Sequence, residues 1–255
     1  MSGQIHASRP SEGVLLLEID NPPANVLGAA TRALLLAKLD QAEADLSVRA
    51  VVLTGRGSAF CAGDNLREEG AMERQDAMAN LGQFGRLLDR VERQRAPVIG
   101  AVNGHAVGGG LELALCCDIR LAAESATFVA AGVNVGLMAS VYRLPRLIGK
   151  GAASTMIFTG RPVTAAQALE WGLVTEVHPR EALLSAALDL AARIASRAPL
   201  SVEASKRVIA QALDLTPRDS AAAAAAELPT LVNSQDHRTA VKAFAERKPP
   251  VFTRS

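Results

Sequence analysis

No charge of either sign dominates this chain: 27 lysines and arginines face 26 aspartates and glutamates, a formal net charge of +1 over 255 residues. A nucleic-acid-binding surface usually needs a clear basic excess, so no nucleic-acid partner is expected. Cysteine is scarce. Cys61, Cys116 and Cys117 form no Cys-x-x-Cys pair, which suits a reducing compartment rather than a disulfide framework. No run approaches the ~18 uncharged apolar residues of a membrane span. The opening "MSGQIHASRP" has neither the apolar core of a signal peptide nor the Arg/Ser-rich character of a transit peptide. These absences predict a soluble, cytoplasmic protein with no membrane partner. Familiar catalytic motifs are missing too: there is no Gly-x-Ser-x-Gly and no His-Glu-x-x-His. "GHAVGG" from Gly104 continues into glycine where a phosphate loop needs lysine. His6, His105, His178 and His237 stand apart without metal-ligand spacing, so no metal is expected.

What is present is apolar surface and an alternating pattern. With 49 % apolar residues the chain can build a sizeable core, as one large domain or as a domain with a helical extension. Continuous apolar runs, "GVLLLEID" (13–20), "RAVVLTG" (49–55) and "APVIGAVNG" (96–104), read as buried strands. "DIRLAAE" (118–124) and "LVTEVHP" (173–179) read as further strands. Between them, 29–46 carries Leu34, Leu35, Leu39, Ala42 and Leu46 at helical spacing, and 66–95 reads as a charged helix. From Thr164 onward the pattern predicts helices over 164–171, 181–197, 200–213, 217–232 and 236–246, with the alanine tract 221–226 in a close-packed helix. Strand–loop–helix units followed by helices argue for an α/β body and a helical C-terminal segment. The expected division is a core over 1–195 and a helical region over 196–255.

Two loops stand out. Each follows a buried strand and places small residues before a helix. "FCAGDNLREE" (60–69) has Ala62 and Gly63 ahead of Asn65, with Asn65 and Glu68 spaced as a capping box. "NGHAVGGGLE" places Gly108, Gly109 and Gly110 ahead of Glu112. Glycine in a helix's first turn costs roughly 0.5–1 kcal/mol relative to alanine. A glutamate on an apolar helix is seldom fully buried unpaired. Small residues let a ligand approach the main chain, and helix N-termini present unpaired N–H groups. Two such groups converging on one carbonyl oxygen would make an oxyanion hole. Tight turns needing glycine for backbone conformation alone remain the alternative.

The segments "GRGSAFCAGDNL", "PVIGAVNGHAVGGGLELALCCDIRLAAESATF" and "FTGRPVTAAQALEWGLVTEV" resemble the crotonase superfamily, the enoyl-CoA hydratase/isomerase family, over essentially the whole chain. The resemblance implies a spiral of ββα units with C-terminal helices that assemble homotrimers or homohexamers. It implies an acyl-CoA thioester substrate, with coenzyme A part of the substrate and no separate cofactor. By position, the N–H groups of Asp64 and Gly109 would hold the thioester oxygen. Ala24 and Val26, with Ala62, Gly63, Asp64, Asn65 and Leu66, would flank the adenosine end. Arg67 and Lys248 would meet the pyrophosphate, and Gly108, Val135 and Ser140 would join the acyl pocket. Glu112 matches one of the family's two catalytic glutamates. The second, four residues beyond the phenylalanine of "ATF", is here Gly132, and "MASVYRL" (138–144) replaces a longer glycine-rich segment. Addition of water by the two-carboxylate route is therefore in doubt, while isomerisation needs only one base. Asp64, where the family usually has an apolar residue, could supply a second acid or base, or it could cap the next helix. Asn134 and Tyr142 are weaker pocket candidates, Asp118 reads as a buried structural hydrogen-bonder, and Cys116 and Cys117 read as core. The alternatives are a hydrolase or lyase of an unusual acyl-CoA, and a non-catalytic CoA-ligand or RNA-binding protein on the same fold.

Overall fold

The computed structural model describes residues 3–70 and 73–255, except for the side chains of Arg67, Glu69, Arg74, Gln75 and Ala77. The chain opens with β1 (Gln4–Ser11), which the apolar pattern did not reveal. It is a largely exposed edge strand, where polar side chains and Pro10 cost little because one side of the ladder is unpaired. β1 pairs antiparallel with β2 (Val14–Asp20). After α1 (Ala29–Ala44), β3 (Ala50–Gly55) runs parallel to β2 and is buried at every position, as its continuous apolar run predicts.

From β3 onward the chain winds in repeated turns. Each turn gives one strand to a large sheet and the next to a small one, then a helical segment. β3 is followed by β4 (Ala59–Cys61), then α2 (Leu66–Glu69) and α3 (Arg74–Glu92). β5 (Val98–Val102) is followed by β6 (His105–Val107) and α4 (Gly109–Leu115). β7 (Ile119–Ala123) is followed by β8 (Thr127–Val129) and a 3-10 turn over Ala131–Val135. β4, β6 and β8 are short strands where the sequence suggested only loop; three residues are too few to show a period. The predicted 66–95 helix is likewise two pieces, α2 and α3. Then come α5 (Arg143–Thr159), β9 (Val163–Thr164), α6 (Ala165–Glu170), β10 (Glu176–His178) and α7 (Arg180–Ala195). The large sheet has the order β1-β2-β3-β5-β7-β10 and the small one β4-β6-β8-β9. Parallel pairing of β3, β5 and β7 in one sheet and β4, β6 and β8 in the other stacks the turns as a spiral.

α7 closes the large sheet. Its buried residues Leu183, Ala187, Ala191 and Ala195 recur every four positions, and the alanines let the helix lie close to the strands. In α1 the buried stripe is Arg32, Leu35, Leu39 and Ala42, whereas the predicted Leu34 and Leu46 face outward. α8 (Pro199–Gln211), α9 (Pro217–Asn233) and α10 (Gln235–Glu246) form the helical C-terminal region. The alanine tract is helical, as expected, but not close-packed: α9 buries no residue within the chain. The tail returns to the body instead. Asp236 accepts from the main-chain N–H groups of Thr253 and Arg254, and Glu203 lies between Arg95 and Arg254. Burial pushes the Glu203 carboxyl up, but the two guanidiniums outweigh it and hold the group below the usual range. No helix among the described residues is long and apolar enough to cross a membrane.

Candidate active site

β4 and β6 are parallel neighbours, so the loops that leave their carboxyl ends emerge side by side. Those loops are the two glycine-containing segments. Gly63 has φ +87°, and a Cβ there would lie 2.7 Å from the main-chain nitrogen of Gly109. Gly108 has φ +53°, which turns the chain from β6 into α4, and its N–H donates to Val129 O. The next two glycines answer to packing. A Cβ on Gly109 would meet Phe84 at 2.8 Å, and one on Gly110 would sit 1.9 Å from Cys61 O. Each of the three consecutive glycines thus has its own physical reason, and together they press the start of α4 against the loop at Asp64. As the first residue of α4, Gly109 has no intrahelical acceptor for its N–H.

The segment 24–27 docks beside this loop. Ala62 N–H donates to Ala24 O, Leu27 N–H donates to Gly63 O, and Leu27 bridges Asp64. Buried Asn25 pins the segment by donating to Arg56 O and Ala59 O.

Beyond the loops lies a cavity of about 410 Å³. Ala62, Asp64, Leu66, Gly108, Gly109, Glu112, Gly132, Val135 and Ser140 all line it, together with Tyr142 and an apolar wall that includes Phe84 and Leu88. Other expected site residues fall elsewhere. Ala24 and Val26 belong to the strand-like segment beside the loop and do not line the cavity; nor do Gly63, which faces α4, and Asn65. Asn65 occupies the N-cap position of α2 without a side-chain cap; its amide instead donates to Glu68, whose carboxylate accepts from Ala29 N–H. Lys248 follows α10, pairs with Glu246 and is not brought to the cavity within one chain. The side chain of Arg67 lies outside the described residues. Asn134 donates to Gly160 O on the surface rather than into the cavity. Asp118 does accept structurally, from Val98 N–H and Lys206, but it is exposed rather than buried.

Glu112 lies in the first turn of α4 and is buried. A carboxylate there is favoured by the helix's N-terminal partial charge. Ser140 Oγ donates to Glu112 Oε1 at 2.5 Å, and Arg143 donates to Oε2 at 3.2 Å. Arg143 also donates to Glu92 at 2.7 Å and lies 4.5 Å from the centroid of the Tyr142 ring. Ser140 has φ +61°, an uncommon backbone state for serine, so the shortened loop holds it under constraint at this contact. Asp64, which also lines the cavity, is paired with Arg32, which is buried, bonded to Asn80 and 5.8 Å from the Phe84 ring centroid. Arg32 and Arg143 were not singled out from the sequence. For Arg32 a signal existed, because Arg32, Leu35, Leu39 and Ala42 share one helical stripe. Nothing local marked Arg143.

The three cysteines are buried thiols. Burial pushes Cys61 and Cys117 up to about 12 and raises Cys116 as well, so none is set up as a nucleophile.

A stacked ββα spiral with a cavity at the carboxyl ends of its paired strands is the crotonase fold. The enoyl-CoA hydratase/isomerase family model matches residues 9–255, and the chain belongs to that family. It is 35 % identical to the 2,3-dehydroadipyl-CoA hydratase of Escherichia coli over 94 % of each chain. It is 32 % identical to the carnitinyl-CoA dehydratase of Citrobacter koseri over 99 % of each. The crystal structure of an enoyl-CoA hydratase from Bacillus anthracis superposes with a TM-score of 0.96 at 32 % identity, covering 98 % of this chain and 99 % of that one.

Proposed function

We propose that the protein binds an acyl-CoA thioester in this cavity and moves a proton on its acyl group through a thioester enolate. The observation that carries the reading is the convergence of the Asp64 loop, the N-terminus of α4 and the Glu112 carboxylate on one cavity. The thioester oxygen sits between the N–H groups of Asp64 and Gly109. In the enolate that oxygen carries the negative charge, and one such donor is worth about 2.7–4 kcal/mol in comparable sites. Glu112 removes the proton next to the thioester carbonyl or delivers one to a nearby carbon. Ser140 and Arg143 fix the orientation of its carboxylate.

Isomerisation of a carbon–carbon double bond is the favoured reaction, since one carboxylate can take a proton from one carbon and return it to another. Hydration by two glutamates is disfavoured because Gly132 supplies no carboxylate, and the Asp64 carboxyl is engaged with Arg32. The names of the relatives, hydratase and dehydratase, keep water addition or removal as the second reading, with Asp64 the side chain to activate water.

The test is a panel of saturated, 2-enoyl- and 3-enoyl-CoA thioesters screened for binding by calorimetry and for turnover by absorbance. Binding of thioesters with interconversion of the 2- and 3-enoyl forms is expected. No heat with any thioester and no competition by free CoA would remove the site assignment.

A further inference from the structure

Arg143 stands between two carboxylates and does not serve them equally. It donates to Glu92 at 2.7 Å, an ordinary charge-assisted bond, but to Glu112 at 3.2 Å, the long end of the range. Its Nε is buried without a partner, so its charge goes to these two anions and to the face of Tyr142. Burial weakens the Arg143 charge, and the bond to Glu92 helps to more than restore it. Cys116, one turn beyond Glu112 on α4, lies near the same guanidinium with a thiol that burial keeps protonated. Among the described residues no other cation pairs with Glu92 or Glu112. Glu92 does not line the acyl cavity. It is 43 % exposed and borders a separate cavity of about 530 Å³ walled partly by α8, whose other charged residues, Asp118, Lys206 and Arg197, form no ion pair with it. Glu92 is also the last residue of α3, where the partial negative charge of the helix end disfavours a carboxylate. Its contact with Arg143 offsets that local cost.

We propose that Glu92 is a positioning residue for Glu112: by taking the larger share of the Arg143 charge, it lets Arg143 aim the Glu112 carboxylate without weakening it as a base. The inference rests on Glu112 acting as the base, as proposed above. A carboxylate fully paired with a guanidinium is held in its anionic form and takes up a proton less readily. A carboxylate with no partner loses its aim. Here one positive charge faces two negative ones, so the guanidinium cannot neutralise both. The shorter contact goes to Glu92, outside the acyl cavity, and the longer one to Glu112, inside it. Glu92 thus acts on the reaction through Arg143 while touching no substrate.

The experiment follows exchange of the hydrogens next to the thioester carbonyl of hexanoyl-CoA for deuterium, across pH, with binding measured by calorimetry. Exchange reports proton removal alone, so the complete reaction does not enter. At saturating hexanoyl-CoA the rate should rise with pH and level off as the base ionises. In Glu92→Gln the whole Arg143 charge falls on Glu112. The rising limb should then move to lower pH by at least about half a unit, and the plateau should fall at least about twofold, with affinity little changed. Glu92→Asp keeps the charge but draws it back from Arg143, and should move the limb the same way by less. A limb that stays in place, or moves to higher pH, overturns the proposal. So does a lower plateau without displacement, because loss of packing alone would give that. Glu112→Gln is the reference. No exchange by the unaltered protein, or exchange that survives Glu112→Gln, removes Glu112 as the base and the role of Glu92 with it. Exchange that is lost in Glu112→Gln but indifferent to Glu92 overturns the role of Glu92 alone. Where Glu92→Gln does not fold, the position of the limb in Glu92→Asp decides.

Discussion

Ser140 Oγ donates to Glu112 Oε1 across 2.5 Å, joining the loop between β8 and α5 to the first turn of α4. The contact places the buried carboxylate within the cavity and uses a backbone state, φ +61°, that serine seldom adopts. Arg143, three residues along, holds the other oxygen and is itself tied to Glu92. The groups that orient the Glu112 carboxylate for its proposed role are thus the groups that tie the loop to the helix.

Replacing Glu112 by Gln keeps size and hydrogen-bonding capacity but removes the base. Turnover of the substrate found in the panel should fall by a factor on the order of 10²–10⁴, with acyl-CoA affinity little changed. Steady-state kinetics beside calorimetry separate the two. An unaltered rate would take Glu112 out of the mechanism.

Ser140→Ala and Ser140→Gly form a paired test of orientation. Both lose the hydroxyl, and a bond to a charged group contributes roughly 1.5–3 kcal/mol. Both should lower kcat, leaving KM nearly unchanged. Only glycine relieves the left-handed backbone, so it should be the more stable of the two in urea unfolding. Equal stabilities would show that the φ angle stores no strain.

Gly132→Glu restores a carboxylate at the position where the resemblance expects one, but not its surroundings. A Cβ there would lie 3.0 Å from both Leu137 O and Ala139 N, main-chain atoms that cannot move aside cheaply. We expect a loss of stability on the order of 1–3 kcal/mol and no gain in hydration. Faster crotonyl-CoA hydration by this variant would contradict that.

Alkaline pH should destabilise the fold through the buried thiols. Cys61 and Cys117 are raised by burial from 9.0 to about 12, so they stay protonated in the folded chain where the unfolded chain releases protons. The unfolded state then binds fewer protons, and stability falls as pH rises from 9.0 toward about 12. Urea midpoints across that range should decrease, and Cys61→Ser with Cys117→Ser should flatten the slope. Glu203 has the opposite sign. Held below its ordinary value by Arg254 and Arg95, it stabilises the fold above the ordinary 4.5, and that contribution is lost on acidification.

The C-terminal helices should assemble copies of the chain. α9 buries nothing, and Leu228, Val232, Val241 and Phe244 are exposed on α9 and α10, with Phe244 at 87 %. Together with the crotonase resemblance this gives a trimer or hexamer as the expected state. Sedimentation at micromolar concentration checks it, and a stable monomer would contradict it.

The strands β2, β3, β5 and β7, the helix α1 and the C-terminal helices were legible in the sequence, because burial of a strand or helix face leaves a local apolar pattern. So were the loops that carry Asp64 and Gly109, since close approach of backbones admits only small residues. β1 and β8 left no such pattern: one is a polar edge strand, the other three residues long. Glu112 could be named from its place after the glycines and Ser140 was expected in the pocket, but their pairing, and Arg143 altogether, could not be read. Ser140 and Arg143 lie 28 and 31 residues away along the chain, and Arg32 lies 32 residues from Asp64. Hydrophobic periodicity specifies which face turns inward, and it does so within a few residues. Which cation comes to rest under which carboxylate depends on how the turns of the spiral stack, and only the tertiary structure decides that.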